Sequence, residues 1–181
     1  MAQTGTLRIR PAEAGEARAI ATIHVDSWRA AYRGLLPDSY LDRLSIEERE
    51  RQWAETLEGA VDGSGVLVAE DDGRVVGFAS WGPSRDTDAA ERTGEVPAIY
   101  VDPSAIGIGV GRALFAEAAN ALRDAGYTCA TLWVLEANGR ARRFYERAGW
   151  RWDGTVSDHQ FECANEPIVR YSVDLAPTST S

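Results

Sequence analysis

The chain has 181 residues, 44% hydrophobic and 26% charged, with a formal net charge of −9. That balance fits a globular chain with its own core, most simply one domain, and argues against nucleic acid as a partner while mildly favouring a cationic acceptor such as an amine. No run approaches the roughly 18 apolar residues of a membrane span, and the first residues lack a signal-peptide layout. Cys129 and Cys163 are too few for a disulfide framework, so a cytoplasmic protein with unlinked thiols and no membrane partner is expected.

Leu7 to Arg10 alternates as a first strand would. Glu13 to about Arg33 reads as a helix, with Ile20, Ile23, Ser27 and Ala31 at helical spacing and Gly34 closing it. Pro37 to Leu44 reads as a short helix, and Ser45-Ile-Glu-Glu48 is a capping box opening another, to about Leu57. Gly65–Glu70 and Arg74–Trp81 read as strands joined by a hairpin at Asp71-Asp72-Gly73. The polar segment Pro83 to Gly94 reads as a mobile loop. Glu95 to Val101 is a strand, Val110 to Ala125 an amphipathic helix ended by Gly126, and Tyr127 to Leu135 an apolar run suited to a buried parallel strand. Asn138 to Ala148 is a short helix ended by Gly149, and two strands follow, the last from Ile168 to Leu175. Residues 6–175 form the expected domain; the ends, 1–5 and 176–181, have compositions that predict disorder.

The segment between residues 101 and 112 carries the chemistry. A strand stops at Asp102-Pro103, glycines alternate at Gly107, Gly109 and Gly111, and a helix begins. Glycines let main chain approach a ligand, and the unpaired N–H groups of a helix N-terminus favour a phosphate. A P-loop would need a lysine that this segment lacks. A dinucleotide loop would need G-x-G-x-x-G and an acid about 20 residues on, which Glu136 fits poorly. Downstream, Asn138 and Tyr145 are about two helical turns apart and so share a face. No Cys or His cluster has metal spacing, and His24 and His159 lack ligand-like neighbours, so no metal is expected.

Val101 to Leu114 resembles the coenzyme A loop of the GNAT N-acetyltransferase superfamily, Gln/Arg-x-x-Gly-x-Gly/Ala, with Gly109 and Gly111 at its small positions and Ile106 departing from Gln/Arg. Asn138-Gly-Arg-Ala-Arg-Arg-Phe-Tyr-Glu-Arg-Ala-Gly-Trp150 resembles the second motif, Asn-x-x-Ala-x-x-x-Tyr-x-x-x-Gly-Phe. His24 to Pro37 is similar to a bacterial subgroup with Trp-x-x-x-Tyr-x-Gly-Leu-Leu-Pro. The resemblance implies an α+β (mixed α/β) GNAT fold, with a six- to seven-stranded mixed sheet, helices on both faces, and parallel strands 95–101 and 127–135 splayed apart. It implies an acyltransferase that uses acetyl-coenzyme A as cosubstrate and passes the acetyl group to a primary amine of a small molecule or peptide by direct attack in a ternary complex. The alternative is a non-catalytic acyl-coenzyme A sensor of the same fold. Homodimerisation is compatible with either.

On this resemblance Ile99, Tyr100, Val101, Ile106, Gly107, Gly109, Val110, Gly111, Arg112 and Asn138 hold the cofactor, with Arg142 and Arg143 as further candidates for its phosphates. Tyr145 is the acid for the departing thiolate and also contacts the cofactor. Glu95 is the base for the amine. Trp28, Tyr32, Leu36 and Trp81 wall the acceptor pocket. Pro97, which has no N–H, fits only where the ladder is already broken, at a bulge or an edge.

Overall fold

The computed structural model describes residues 7–59, 61–162 and 164–175; Cys163 lies outside them. Chain order gives β1 (Arg8–Pro11), α1 (Ala17–Ala31), α2 (Asp38–Arg43), α3 (Ile46–Glu58), β2 (Gly65–Asp71), β3 (Arg74–Pro83), β4 (Thr93–Val101), α4 (Val110–Asp124), β5 (Cys129–Leu135), α5 (Gly139–Arg147), β6 (Arg151–Gln160) and β7 (Asn165–Asp174). The predicted elements are present in the predicted order. Their ends move by up to three residues, the last strand starting at Asn165 rather than Ile168, and the start of the first long helix becomes a 3-10 turn, Ala14–Glu16.

Local chemistry explains the boundaries. Ser45 accepts the Glu48 N–H and starts α3. Asp72 and Gly73 both have positive φ, the conformation a tight hairpin between β2 and β3 needs. Gly126 and Gly149, at φ +90° and +88°, end α4 and α5.

The seven strands form one sheet in the order β1-β2-β3-β4-β5-β7-β6. All pairs are antiparallel except β4 with β5. Side chains alternate between the two faces of a strand. Leu67, Ala69 and Ala79 therefore join Leu114, Phe115, Ala118 and Leu122 of α4 on one face. Val66, Val68 and Phe78 join Ile20, Ile23 and Trp53 of α1 and α3 on the other. A third cluster, Leu36, Tyr40, Leu41, Leu135 and Phe161, closes the end where α2 meets the β6–β7 turn. No helix among the described residues is long and apolar enough to cross a membrane.

Two irregularities position the site. The β4–β5 ladder has only three pairs, ending at Glu95 with Thr131, after which the strands diverge. On the other side of β4, Ser80 pairs with Ala98 but Gly82 with Glu95, so β4 carries an extra residue at Val96-Pro97. Pro97 thus sits at a bulge, the place its missing N–H demands.

His24 is buried on α1, 9% exposed. Its Nδ1 accepts the Trp53 Nε1–H at 3.1 Å, and its ring stacks on Tyr100 with centroids 5.0 Å apart. Burial, helped by the nearby Arg49 charge, lowers its pKa to about 3. Between the ordinary value near 6.5 and about 3 the unfolded chain binds a proton that the folded chain refuses, so stability falls as pH falls through that window. Lowering the pH from 7 to 5 should remove about 2 kcal/mol through this one group. Urea midpoints of the wild type and His24→Gln at both pH values test this, and an equal pH slope in the two proteins would refute it. Leu122, fully buried beneath α4, should cost about 3 kcal/mol when cut to alanine, since the helix cannot collapse into the hole. Equilibrium urea unfolding measures that loss, and a change under 1 kcal/mol would show that α4 is not pinned at this point.

Candidate active site

The divergence of β4 from β5 leaves main-chain groups without strand partners. Asp102 N–H donates to Val76 O, which turns residue 102 toward β3. Backbone groups alternate along a strand, so Tyr100 also faces β3, while Ile99 and Val101 face the gap. The Tyr100 main chain pairs with Phe78 and faces β3 rather than the gap. At Val101 the carbonyl is already taken, by the Ser27 hydroxyl at 2.8 Å. The Ile99 main chain and the Val101 N–H therefore keep the free edge.

Beyond β4 the chain forms the glycine loop. Asp102 Oδ1 accepts the Ser104 N–H, and the Arg74 guanidinium pairs with Asp102, so the strand end is held rigidly. Gly107 and Gly109 have φ of +95° and +91°, and no atom lies within 4 Å of where a Cβ would stand on either. Gly109 is the N-cap of α4. The N–H groups of Val110, Gly111 and Arg112 thus open onto free space with no carbonyl of a preceding turn to pair with. Gly111 differs: a Cβ there would stand 3.5 Å from Val101 and 3.6 Å from Phe144, ordinary contact distances, so the position accepts a small side chain. Ile106 is 45% exposed and Ile108 63%. An open, donor-rich concavity of this kind fits a pyrophosphate. Arg112 is exposed on α4.

Asn138 caps α5 through Oδ1, which accepts the Ala141 N–H at 3.1 Å. Its amide N–H₂ keeps both donors free. Tyr145 packs between Phe115 and Tyr171, with ring centroids at 5.4 and 6.1 Å. Burial raises its pKa, and the Tyr100 hydroxyl adds to the shift. Tyr145 belongs to the face under α4 and Tyr100 to the face under α1, so the two sense each other through the gap between the strands. Arg142, a candidate for phosphate contact, is occupied instead: Nε donates to Tyr171 Oη and Nη1 to Glu136 O.

Glu95 is 2% exposed, not the surface carboxylate that its place at a strand start suggests. It occupies the last paired position before the gap. Arg85 holds it with three contacts: its N–H to Oε2 at 3.0 Å, Nε to Oε2 at 3.3 Å, and Nη2 to Oε1 at 2.7 Å. The pairing raises the Arg85 pKa. Asp86 accepts from Trp133 Nε1 at 2.9 Å and from Arg170 at 3.2 Å. The segment expected to be a mobile loop is therefore tied to the sheet at 85, 86 and 88. Arg85, Trp133, Arg170 and Ser27 carry no sequence signal. Nothing in the spacing pairs position 85 with 95, or 86 with 133 and 170.

Of the proposed acceptor wall, Trp28 and Tyr32 stand edge to face at 5.0 Å and pack with Leu36, Tyr40 and Phe161. Leu36 is 3% exposed, so it backs the rings rather than lining an opening. The Trp28 Nε1–H is buried without a hydrogen-bond partner. Trp81 is not brought to this group: it packs on the α4 face, against Gly65.

Comparison with known proteins follows the geometry. The acetyltransferase (GNAT) family model matches residues 18–150. An uncharacterised N-acetyltransferase of Bacillus subtilis, YuaI, is 39% identical over 132 residues, 72% of each chain. A mycothiol acetyltransferase of Thermomonospora curvata is 40% identical over 89 residues, 49% of this chain but only 28% of that longer protein. YncA of Salmonella typhimurium, solved with acetyl-coenzyme A, superposes with a TM-score of 0.70 at 22% identity, covering 96% of each chain. The mixed sheet, the splayed parallel pair and the match over most of the length agree: this chain belongs to the acetyltransferase (GNAT) family.

Proposed function

We propose that this GNAT acetyltransferase moves an acetyl group from acetyl-coenzyme A to a primary amine of a small molecule or peptide, by direct attack in a ternary complex. The observation that carries the reading is the gap between β4 and β5. It has a buried carboxylate at its closed end, a glycine loop with open space at Gly107 and Gly109 beside the N-terminus of α4, and the Tyr145 phenol on α5. A thioester bound there supplies an activated acetyl carbon.

Each protein group has a separate task. The glycine loop and the first N–H groups of α4 bind the pyrophosphate. The Ile99 main chain, with the Asn138 amide, pairs with the pantetheine arm as an added strand would. Glu95 takes the amine proton, directly or through one water. Three of its roughly four lone-pair positions are used by Arg85, which leaves one, on Oε1. A main-chain N–H at the gap polarises the acetyl carbonyl as negative charge develops on it. Tyr145 keeps its proton because burial disfavours the phenolate, and gives it to the departing sulfur. The same burial raises the basicity of that thiolate, which keeps the transfer matched. The negative charge of the chain favours a cationic amine as the incoming partner.

Tyr145→Phe should lower turnover by about 10²-fold or more while leaving coenzyme A affinity within a factor of about two. Steady-state thiol release, with calorimetric titration of coenzyme A, measures both. Unchanged turnover would remove Tyr145 from the acid role, and tight binding without turnover on any amine of a broad panel would favour the sensor reading. Gly109→Glu should abolish coenzyme A binding, because a side chain at φ +91° is strained and its carboxylate would occupy the cradle. Circular dichroism checks the fold, and retained affinity in the folded variant would place the pyrophosphate elsewhere.

A further inference from the structure

The 84–88 segment carries the unusual pairing of this molecule. The Glu95 side chain is 3% exposed and its partner Arg85 is 74% exposed. An ion pair that joins a buried carboxylate to an arm lying largely in water is not explained by packing, because Arg85 contributes nothing to the core. What it contributes is geometry. Its N–H and Nε fix Oε2 and its Nη2 fixes Oε1, so the carboxylate cannot rotate.

Arg85 is in turn held from below. Its neighbour Asp86 accepts from Trp133 Nε1 on β5 at 2.9 Å and from Arg170 on β7 at 3.2 Å. Arg170 is itself caught between Asp88, at 2.7 and 3.0 Å, and Asp153, at 2.7 Å, with its guanidinium 5.6 Å above the Trp133 ring. Two adjacent residues thus divide the work. Asp86 ties the segment to β5 and β7, and Arg85 holds Glu95 near the start of β4, at the last rung before the gap. The short β4–β5 ladder has only three pairs to hold its last carboxylate in place. This side-chain bridge supplements it where the ladder stops.

We propose that Arg85 is the positioning residue of Glu95, and that the clamp of Asp86 on Trp133 and Arg170 fixes Arg85 in that role. The inference rests on the reading of Glu95 as the base. Arg85 does not touch the reacting atoms. It turns the one free lone pair of Oε1 toward the amine, and the clamp keeps that direction constant as acceptors enter and leave.

The test is a double-mutant cycle on the full chain, using acetyl-coenzyme A and the fastest acceptor from a panel of amino acids, polyamines and short peptides with free N-termini. Glu95→Gln should lower kcat by about 10²-fold or more. Arg85→Ala should lower kcat by up to about 10²-fold, the cost of a misplaced catalytic group, with KM for acetyl-coenzyme A unchanged. Arg85→Lys should recover part of the loss, and Asp86→Ala should give a smaller fall of the same kcat-only kind. In the Glu95→Gln background, Arg85→Ala should cost nothing further, because it acts through a carboxylate no longer present.

A merely structural Arg85 would lower melting temperature and activity alike in both backgrounds. Equal losses in the two backgrounds, or an unchanged kcat in Arg85→Ala beside an impaired Glu95→Gln, would overturn the proposal and leave the base assignment standing. Full activity in Glu95→Gln would overturn the base assignment and this proposal with it. Coenzyme A affinity by calorimetry and thermal melting of each variant separate these outcomes from a folding defect.

Discussion

The three-pair contact between β4 and β5 is the constraint on which the rest depends. Every other neighbouring pair in the sheet is antiparallel, and β5 runs in full register with β7 over seven residues. Past Glu95 and Thr131, however, two strands of one sheet expose facing main-chain edges. Unpaired backbone groups away from water are costly, so a gap of this kind persists only if something enforces it. The extra residue at Val96-Pro97 does so from one side. Pro97 offers no donor, and the bulge turns the following residues of β4 out of line with β5. The Ser27 hydroxyl quiets one carbonyl of the opened edge, that of Val101. What is left unsatisfied is a short stretch around Ile99, about the length that an extended ligand arm would cover.

Two helices make the gap chemically useful, and they do so by different means. Helix α4 is held down by its apolar stripe, Leu114, Ala118 and Leu122, each fully buried, and that burial aims its N-terminus at the mouth of the gap. Gly107 and Gly109 turn the chain into it with φ above +90°. Helix α5 is short and has no fully buried residue. It depends on the aromatic contacts of Phe144 and Tyr145 with Phe115 and of Tyr145 with Tyr171, and on Arg142 bridging Tyr171 to the end of β5. A phenol placed by ring packing rather than by hydrogen bonds keeps its hydroxyl free to donate.

The sequence made the cofactor side far more legible than the acceptor side, for a physical reason. The proposed cofactor contacts rest on local features: a glycine that must take positive φ, a cap residue, a Tyr two turns later. These leave fixed spacings, and Gly109, Asn138 and Tyr145 were readable from them. Strand and helix periods were likewise local, so all twelve elements could be placed in order. Trp81 follows the plain alternation of β3, two residues beyond Ala79, and so falls under α4 and away from Trp28. The Arg85–Glu95 and Asp86–Trp133–Arg170 contacts join residues 10, 47 and 84 positions apart. No period links such positions, and a polar, charged segment reads as a mobile loop until its partners are known.

That segment also bears on why the site carries so much charge. A carboxylate as buried as Glu95 would be expensive unless paired and hydrogen-bonded, and Arg85 supplies both. Arg170, with a side chain 12% exposed, faces Asp86, Asp88 and Asp153, so the network holds more acid than base even after every pairing. On the proposed function, an excess of negative potential beside the gap would draw in an ammonium group, disfavour anionic competitors and lower the cost of bringing the cation out of water. On that proposal the acidic surroundings act on the approach of the amine and the single free lone pair on Glu95 on its deprotonation.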